Sequence, residues 1–346
     1  MNIRTKLLTI AALLAVWSCT EKDPTPVGPD GSDPIEFGSV STKALITGIN
    51  QVNEFGVSCA ISNTDNSDYG SIMNNVKVFR DEDSDTGWDY KPKSYWLEDS
   101  HYYFVAAYPF VEGGGFVKEE AEMEGINRIG YSLDIDTAEQ VDILAASKHV
   151  HTSDSWETEV VNLQLRHLLT NINVRITQDA SDLENNYYIK SISLYGISTT
   201  GTYGLLPQGN EISSYWALGA HNNEDNAISK DFDSTTPLIG TTLSVWGSDG
   251  LLVLPQTINN RTAHIKITYD YELKQDEETQ PVAEGDDNIG RREKTIVIDI
   301  PGTNDWVSGN KITYTLSFAN PNKIIFRNVT VKSWGDAQSG GTIIID

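Results

Sequence analysis

The sequence predicts an all-β protein made of packed antiparallel β-sandwich domains with a few short helices. Three observations predict it. Apolar residues recur at every second position through most of the chain after Ile35. Clusters of Gly, Asn, Asp and Pro punctuate those runs. Only residues 118–126 and 137–146 read as short helices. Side chains of a strand point alternately to opposite faces, so period-two runs mark half-buried strands.

In chain order, Val57, Cys59 and Ile61 alternate, then Val161, Leu163 and Leu165, then Ile172, Val174 and Ile176. Ile265, Ile267, Tyr269, Tyr271 and Leu273 face one way, while Lys266, Thr268, Asp270 and Glu272 face the other. Ile296, Ile298 and Ile300 follow, then Ile312, Tyr314, Leu316 and Phe318, and last Val329 and Val331. Turn-forming clusters fall at 113–115, 207–210, 222–225 and 301–304.

The first residues predict export. Arg4 and Lys6 precede an apolar run from Leu7 to Val16 that only Thr9 interrupts. A helix needs roughly 20 residues to cross a hydrocarbon core of about 30 Å, so this run is a signal peptide rather than a span. Ser18 followed by Cys19 resembles a bacterial lipobox, although Trp17 departs from its usual small residue. The resemblance implies removal of residues 1–18, acylation of Cys19 and a lipid-anchored, surface-exposed protein of the outer membrane, with the lipid as its only membrane contact. Several acyl chains on one residue hold firmly where a single chain does not. Residues 19–35 carry Pro24, Pro26, Pro29 and Pro34 among Gly, Asp, Ser and Thr, and read as a solvated tether.

The remaining 328 residues suffice for two domains, placed at 36–180 and 181–346 with the boundary in the polar stretch 178–186. Cleavage removes two basic and no acidic residues, taking the net charge from −24 to −26. Such a field repels phosphate backbones and excludes nucleic-acid binding. Once Cys19 is acylated only Cys59 remains, so neither an internal disulfide nor a cysteine metal site is available. Cys59 reads as a small buried hydrophobe.

Few motifs carry chemistry. Trp88, Tyr90, Tyr95, Trp96, Tyr102, Tyr103, Phe104, Tyr108 and Phe110 put nine rings in 23 residues. They read either as sandwich core or as a carbohydrate platform in which Trp88 and Trp96 stack on sugar faces. The run Asp81-Glu82-Asp83-Ser84-Asp85-Thr86-Gly87 opens like a calcium loop. An EF-hand requires Gly at the sixth position and Glu at the twelfth, where Thr86 and Pro92 stand, so a hairpin tip or a looser calcium site remains. His149 and His151 share one strand face and read as a surface pair without a third ligand. There is no G-x-S-x-G turn, H-E-x-x-H, P-loop or Rossmann fingerprint, and the chain is expected to be neither an enzyme nor a cofactor carrier.

Four stretches together resemble the fimbrillin-like family of Bacteroidetes, the major and minor subunits of type V pili. The first is the lipoprotein signal and tether with Ser41-Thr42-Lys43-Ala44 and the strand around Cys59. The second runs from Gly87-Trp88 through Tyr95-Trp96 to Tyr102-Tyr103-Phe104-Val105-Ala106-Ala107-Tyr108-Pro109. The third is Asp142-Ile143-Leu144-Ala145-Ala146 with Val161-Asn162-Leu163-Gln164-Leu165-Arg166-His167. The last is Gly309-Asn310-Lys311-Ile312-Thr313-Tyr314 with Val329-Thr330-Val331-Lys332-Ser333-Trp334.

The resemblance implies two transthyretin-like sandwiches and a structural role in adhesion. It also implies partners: other fimbrial subunits joined by strand exchange, and a host or bacterial surface ligand. In the family a protease removes the first strand and a neighbour's strand fills the groove. The equivalent cut here lies between Lys43 and Ala44, and residues 19–79 contain no Arg, so a trypsin-like rather than an Arg-specific protease fits. Only twelve residues follow Trp334, enough to complete the subunit's own sheet. Both features favour an accessory, anchor or tip subunit.

Overall fold

A computed structural model describes residues 33–42, 52–63, 69–113, 117–118, 127–132, 140–153, 159–182, 184–208, 211–238, 240–258, 262–273, 291–302, 305–333 and 340–344. In chain order its strands begin with β1 (Phe37–Thr42), β2 (Glu54–Asn63), β3 (Tyr69–Arg80), β4 (Trp88–Tyr90) and β5 (Ser100–Tyr108). Next come β6 (Val117–Lys118), β7 (Asn127–Ser132), β8 (Leu144–His151), β9 (Val161–His167) and β10 (Thr170–Gln178). The series continues with β11 (Asn185–Tyr195), β12 (Thr200–Gln208), β13 (Glu211–Leu218), β14 (Ile228–Asp231), β15 (Leu243–Ser244) and β16 (Leu251–Val253). It closes with β17 (His264–Leu273), β18 (Arg292–Asp299), β19 (Asn310–Asn320), β20 (Lys323–Ser333) and β21 (Gly340–Ile344).

The first seven-stranded sheet has the order β1-β9-β8-β5-β2-β3-β4. It curls until its two ends meet, where Pro34 bridges Tyr95 just beyond β4. The alternation seen in the sequence explains why. Val161, Leu163 and Leu165 of β9 point inward while Asn162 and Arg166 are exposed. Phe55, Val57 and Cys59 of β2 and Tyr102, Phe104 and Ala106 of β5 meet them in one core. Cys59 is buried there as a free thiol, and burial raises its pKa well above the ordinary thiol value.

The second half is a sandwich. One sheet runs β15-β10-β19-β20-β21, with β16 also on β10, and the other runs β14-β11-β17-β18. Ile172, Val174 and Ile176 of β10 and Ile312, Tyr314, Leu316 and Phe318 of β19 face Ile192, Leu194, Ile265, Ile267 and Tyr269 across the core. The Trp306 indole donates to the Tyr314 hydroxyl at 2.9 Å, which satisfies two polar groups that burial would otherwise penalise. Hydrogen bonding passes from the first sheet to the second at Leu168 and Leu169, between β9 and β10.

A third unit, the sheet β13-β12-β7-β6, draws strands from both sides of that junction. Leu205 from β12, Leu252 and Leu254 near β16, and Val105, Ala107 and Ala145 from β5 and β8 form the cluster beneath it.

Two sequence expectations are corrected. Residues 118 and 144–146 are strand rather than helix, because β8 is needed to cover β5 and the small side chains of Ala145 and Ala146 fit between sheets. The rest of the expected helix at 118–126 lies outside the described residues, and the only helical turn among the described residues is the three-residue 3-10 turn Glu224–Asn226. The sheets are also not wholly antiparallel: β1 runs parallel to β9 and β10 parallel to β19.

Candidate functional site

The strand of greatest functional interest is β1. It sits at the end of its sheet and bonds to β9 in parallel, with Phe37 opposite Val161 and Val40, Ser41 and Thr42 opposite Leu163, Gln164 and Leu165. The register is irregular between Phe37 and Val40. Ahead of the strand, the Ile35 amide donates to the Ser94 carbonyl at 2.8 Å, and the Trp96 amide donates to the Asp33 carbonyl at 3.1 Å. The Tyr90 hydroxyl donates to the Ile35 carbonyl at 2.9 Å.

Two side chains plug the core from this strand's entry. Ile35 is fully buried and Phe37 is 1% exposed. The Phe37 ring meets Tyr90, Phe104 and Phe55 edge-on, with centroids 5.4, 6.1 and 6.3 Å apart. Burying such side chains contributes about 1.5–3 kcal/mol each. The strand and its entry are therefore held by a backbone ladder to β9, a short backbone bridge from residues 33–35 to residues 94–96, and two plugs. Without it, β9 would present unpaired backbone groups beside an open apolar pocket, the features that attract an added strand.

The described part of β1 ends at Thr42; the predicted cleavage residues Lys43 and Ala44 lie outside the described residues, as does Cys19. At the other end of the chain, β21 pairs with β20 from Lys332 opposite Gly340 to Asn328 opposite Ile344. The last strand thus occupies an edge of the chain's own sheet.

Six of the nine rings, Trp88, Tyr90, Trp96, Tyr102, Tyr103 and Phe104, are buried, which corrects the expectation of a carbohydrate platform at Trp88 and Trp96. Trp88 and Trp96 are 4% and 5% exposed. Trp88 packs edge-on against Phe55 at 5.0 Å and Trp96 against Tyr102 at 4.7 Å. Arg80 covers Trp88 with its guanidinium 4.3 Å from the ring. Neither tryptophan offers a sugar an open face, because the curled sheet needs both rings to fill its interior.

Two polar features remain from the sequence. Residues 81–87 form the tip between β3 and β4, closed on itself by the Asp83 amide donating to Asp81 Oδ1 at 3.0 Å and Ser84 Oγ donating to the Trp88 carbonyl at 2.8 Å. His149 and His151 do share a face, and β5 adds a third imidazole that the linear sequence could not place. His101 Nδ1 lies 3.0 Å from His149 Nε2, and its ring stacks on His151 with centroids 4.0 Å apart. Among the described residues no group of His, Cys, Asp or Glu is arranged to hold a metal ion.

Burial, followed by neighbouring imidazoles, lowers the pKa of His101 and of His149. Asp99 opposes this weakly at His101, and Lys148 reinforces it at His149. The unfolded chain therefore binds protons first as pH falls below about 6.5, so stability is complete above that pH and declines below it. The fall in Tm between pH 7.5 and 5.5 is expected to be smaller in a His101→Asn/His149→Asn variant than in the wild type. Identical pH dependence in the two proteins would remove the histidines from the account.

The profile of the fimbrillin-like family matches residues 42–334, most of the chain. The chain belongs to the fimbrillin-like family. No curated protein sequence matches it. A solved fimbrial protein from Bacteroides vulgatus superimposes with a TM-score of 0.58 at 15% identity, covering 87% of this chain and 99% of that one. A fimbrial assembly protein from Parabacteroides distasonis gives a TM-score of 0.38 at 10% identity, covering 90% and 100%. The tip fimbrial protein Mfa3 from Porphyromonas gingivalis, solved with a C-terminal truncation, gives 0.38 at 10%, covering 82% and 94%.

Membership makes this fimbrillin-like chain a fimbrial, cell-surface protein of a structural, adhesive family. Its matched region begins at Thr42, the last described residue of β1. The sequence did not single out Ile35, Phe37 and Tyr90 as the residues that seat β1. Ile35 and Phe37 are spaced by two, a signal too short to read, and Tyr90 was one ring among nine.

Proposed function

We propose that this fimbrillin-like chain is a lipid-anchored fimbrial subunit of the accessory, anchor or tip kind, joined to its neighbours by strand exchange in the β1 groove. The observation that carries the reading is the seating of β1: a backbone ladder to β9 and two buried side chains, Ile35 and Phe37. While the link is intact, the chain's own strand fills the groove and Cys19 tethers it to the membrane. A cut after Lys43 would separate lipid and β1 from the rest in one step. A donated strand could then satisfy the β9 edge and fill the places of Ile35 and Phe37. Such contacts run head to tail and build filaments rather than closed dimers.

The pairing of β21 with β20 supports the accessory kind, since a strand engaged on its own sheet is less available for donation. The absence of Arg from residues 19–79 supports a subunit that keeps its lipid where only Arg-specific proteases act.

The test is limited trypsin digestion of purified mature protein. Cleavage with a new N-terminus at Ala44, followed by ladders on mixing with partner subunits that resist dissociation, is the expected result. Protein trimmed at Ala44 that stays monomeric with every partner would end the strand-exchange reading. Acylated Cys19 as the only N-terminus recovered from cells would show that the anchor is kept; Ala44 there would show that it is discarded.

A further inference from the structure

Away from β1, an open groove of about 600 Å³ lies between the β12–β13 hairpin, the corner joining β9 to β10, and the start of β19. This is within the range of small-ligand sites, roughly 300–1,000 Å³. The hairpin gives it an aromatic wall. Tyr203 and Trp216 are cross-strand partners with ring centroids 5.3 Å apart, and Tyr215 is opposite Gly204. The missing side chain at Gly204 makes room for that ring: an added Cβ would lie 2.4 Å from it. All three rings are half-buried, so each is held in place while part of it stays open.

The opposite side is polar. Ser308, Asn310 and Ser333 line it, and Ser214 adds a hydroxyl on the hairpin side, bonded to Tyr203. The Ser308 hydroxyl donates to the Leu168 carbonyl at 3.0 Å and keeps its acceptor capacity. On the corner side the amides of Leu168, Gly309 and Asn310 already donate to Ile143, Leu169 and Val307, while β13 pairs with β12 alone and is an edge of its sheet. The corner side therefore offers no backbone ladder to a peptide strand. The mix of rings and polar side chains suits a pyranose, whose apolar C–H face packs on a ring while its hydroxyls reach side-chain donors and acceptors.

Charge narrows the class. No acid lines the groove among the described residues, although the chain carries −24. Asp142 is held against His167 Nδ1 at the groove floor. Arg166 is exposed at the mouth and forms no salt bridge among the described residues; its guanidinium reaches only the Gln164 side-chain oxygen, at 3.2 Å. A guanidinium with open N–H groups is suited to a carboxylate, which it can hold with two parallel hydrogen bonds.

We propose that this groove binds an acidic saccharide, with Trp216 and Tyr203 under the sugar ring and Arg166 on its carboxylate. The proposal does not depend on strand exchange, because the groove is complete in the uncut chain and binding is read on the monomer. The experiment titrates the full mature chain, uncut, with sialyllactose and oligogalacturonate, and with lactose as the neutral control. Both acidic probes are expected to bind at least tenfold more tightly than lactose. Arg166→Gln is expected to erase that preference, and Trp216→Ala to abolish binding. Ser214→Trp, a change at an exposed position, is expected to block the groove without unfolding the chain, which is checked by an unchanged Tm. Failure of both acidic probes to bind, equal affinity for lactose, or unaltered binding in Arg166→Gln and Ser214→Trp would overturn the proposal. Competition by an uncharged extended peptide, with no sugar bound, would overturn it in favour of strand docking.

Discussion

Replacing Phe37 with alanine is expected to destabilise the first sheet by about 3–5 kcal/mol, the usual cost of deleting a buried phenylalanine. The ring is 1% exposed and surrounded by Phe55, Tyr90 and Phe104, which are themselves fully or nearly fully buried. Those neighbours are held by β2, β4 and β5, so they cannot collapse into the space without disturbing three strands. The same change weakens the seat of β1 specifically, because β1 has backbone partners only on β9 along its described length. Tm should fall by several degrees, and trypsin should cut after Lys43 faster than in the wild type. A Tm unchanged within a degree would show that Phe37 is not the plug. A lowered Tm with unchanged cleavage would separate core stability from release of the strand.

Gly196→Ala is the second large effect, expected at about 3 kcal/mol from two sources that add. Gly196 has φ of +78°, where an alanine carries strain of about 1–2 kcal/mol. An added Cβ would also stand 1.7 Å from the Thr262 carbonyl oxygen. That neighbour is backbone, so the clash can be relieved only by moving the chain just before β17; overpacking of this kind typically costs about 1–3 kcal/mol. The turn is fixed from the other side as well. The Gly196 amide donates to the Asn222 carbonyl at 3.1 Å, and the Asn222 side chain accepts from the Ile197 amide at 3.0 Å. Thermal unfolding monitored by circular dichroism is the check. A variant as stable as the wild type would mean that the turn can open at little cost.

The strands were legible because their signal is local. Ile265, Ile267 and Tyr269 are fully buried on one side of β17, as the two-residue period requires. The same logic misread residues 144–146, where two consecutive alanines carry no period at all. Trp88 and Trp96 show the limit most clearly. Their composition is equally compatible with an exposed platform and a buried core, and only the closure of the sheet around them decides for the core. The histidine stack has a similar origin: His101 and His151 are 50 positions apart but face one another across β5 and β8.

By itself the sequence determined the all-β class, the acidic charge and the family. These depend on residue type and short spacing, which any reader of the chain can inspect. Tertiary structure alone decided which strand lies at the edge, what seats it, and where a groove opens. Strand order and curling bring together groups far apart in sequence, such as Arg166, Trp216 and Asn310. No period within a single strand encodes that meeting; it is set by which edges pair and how far the sheets must twist to bury their apolar faces.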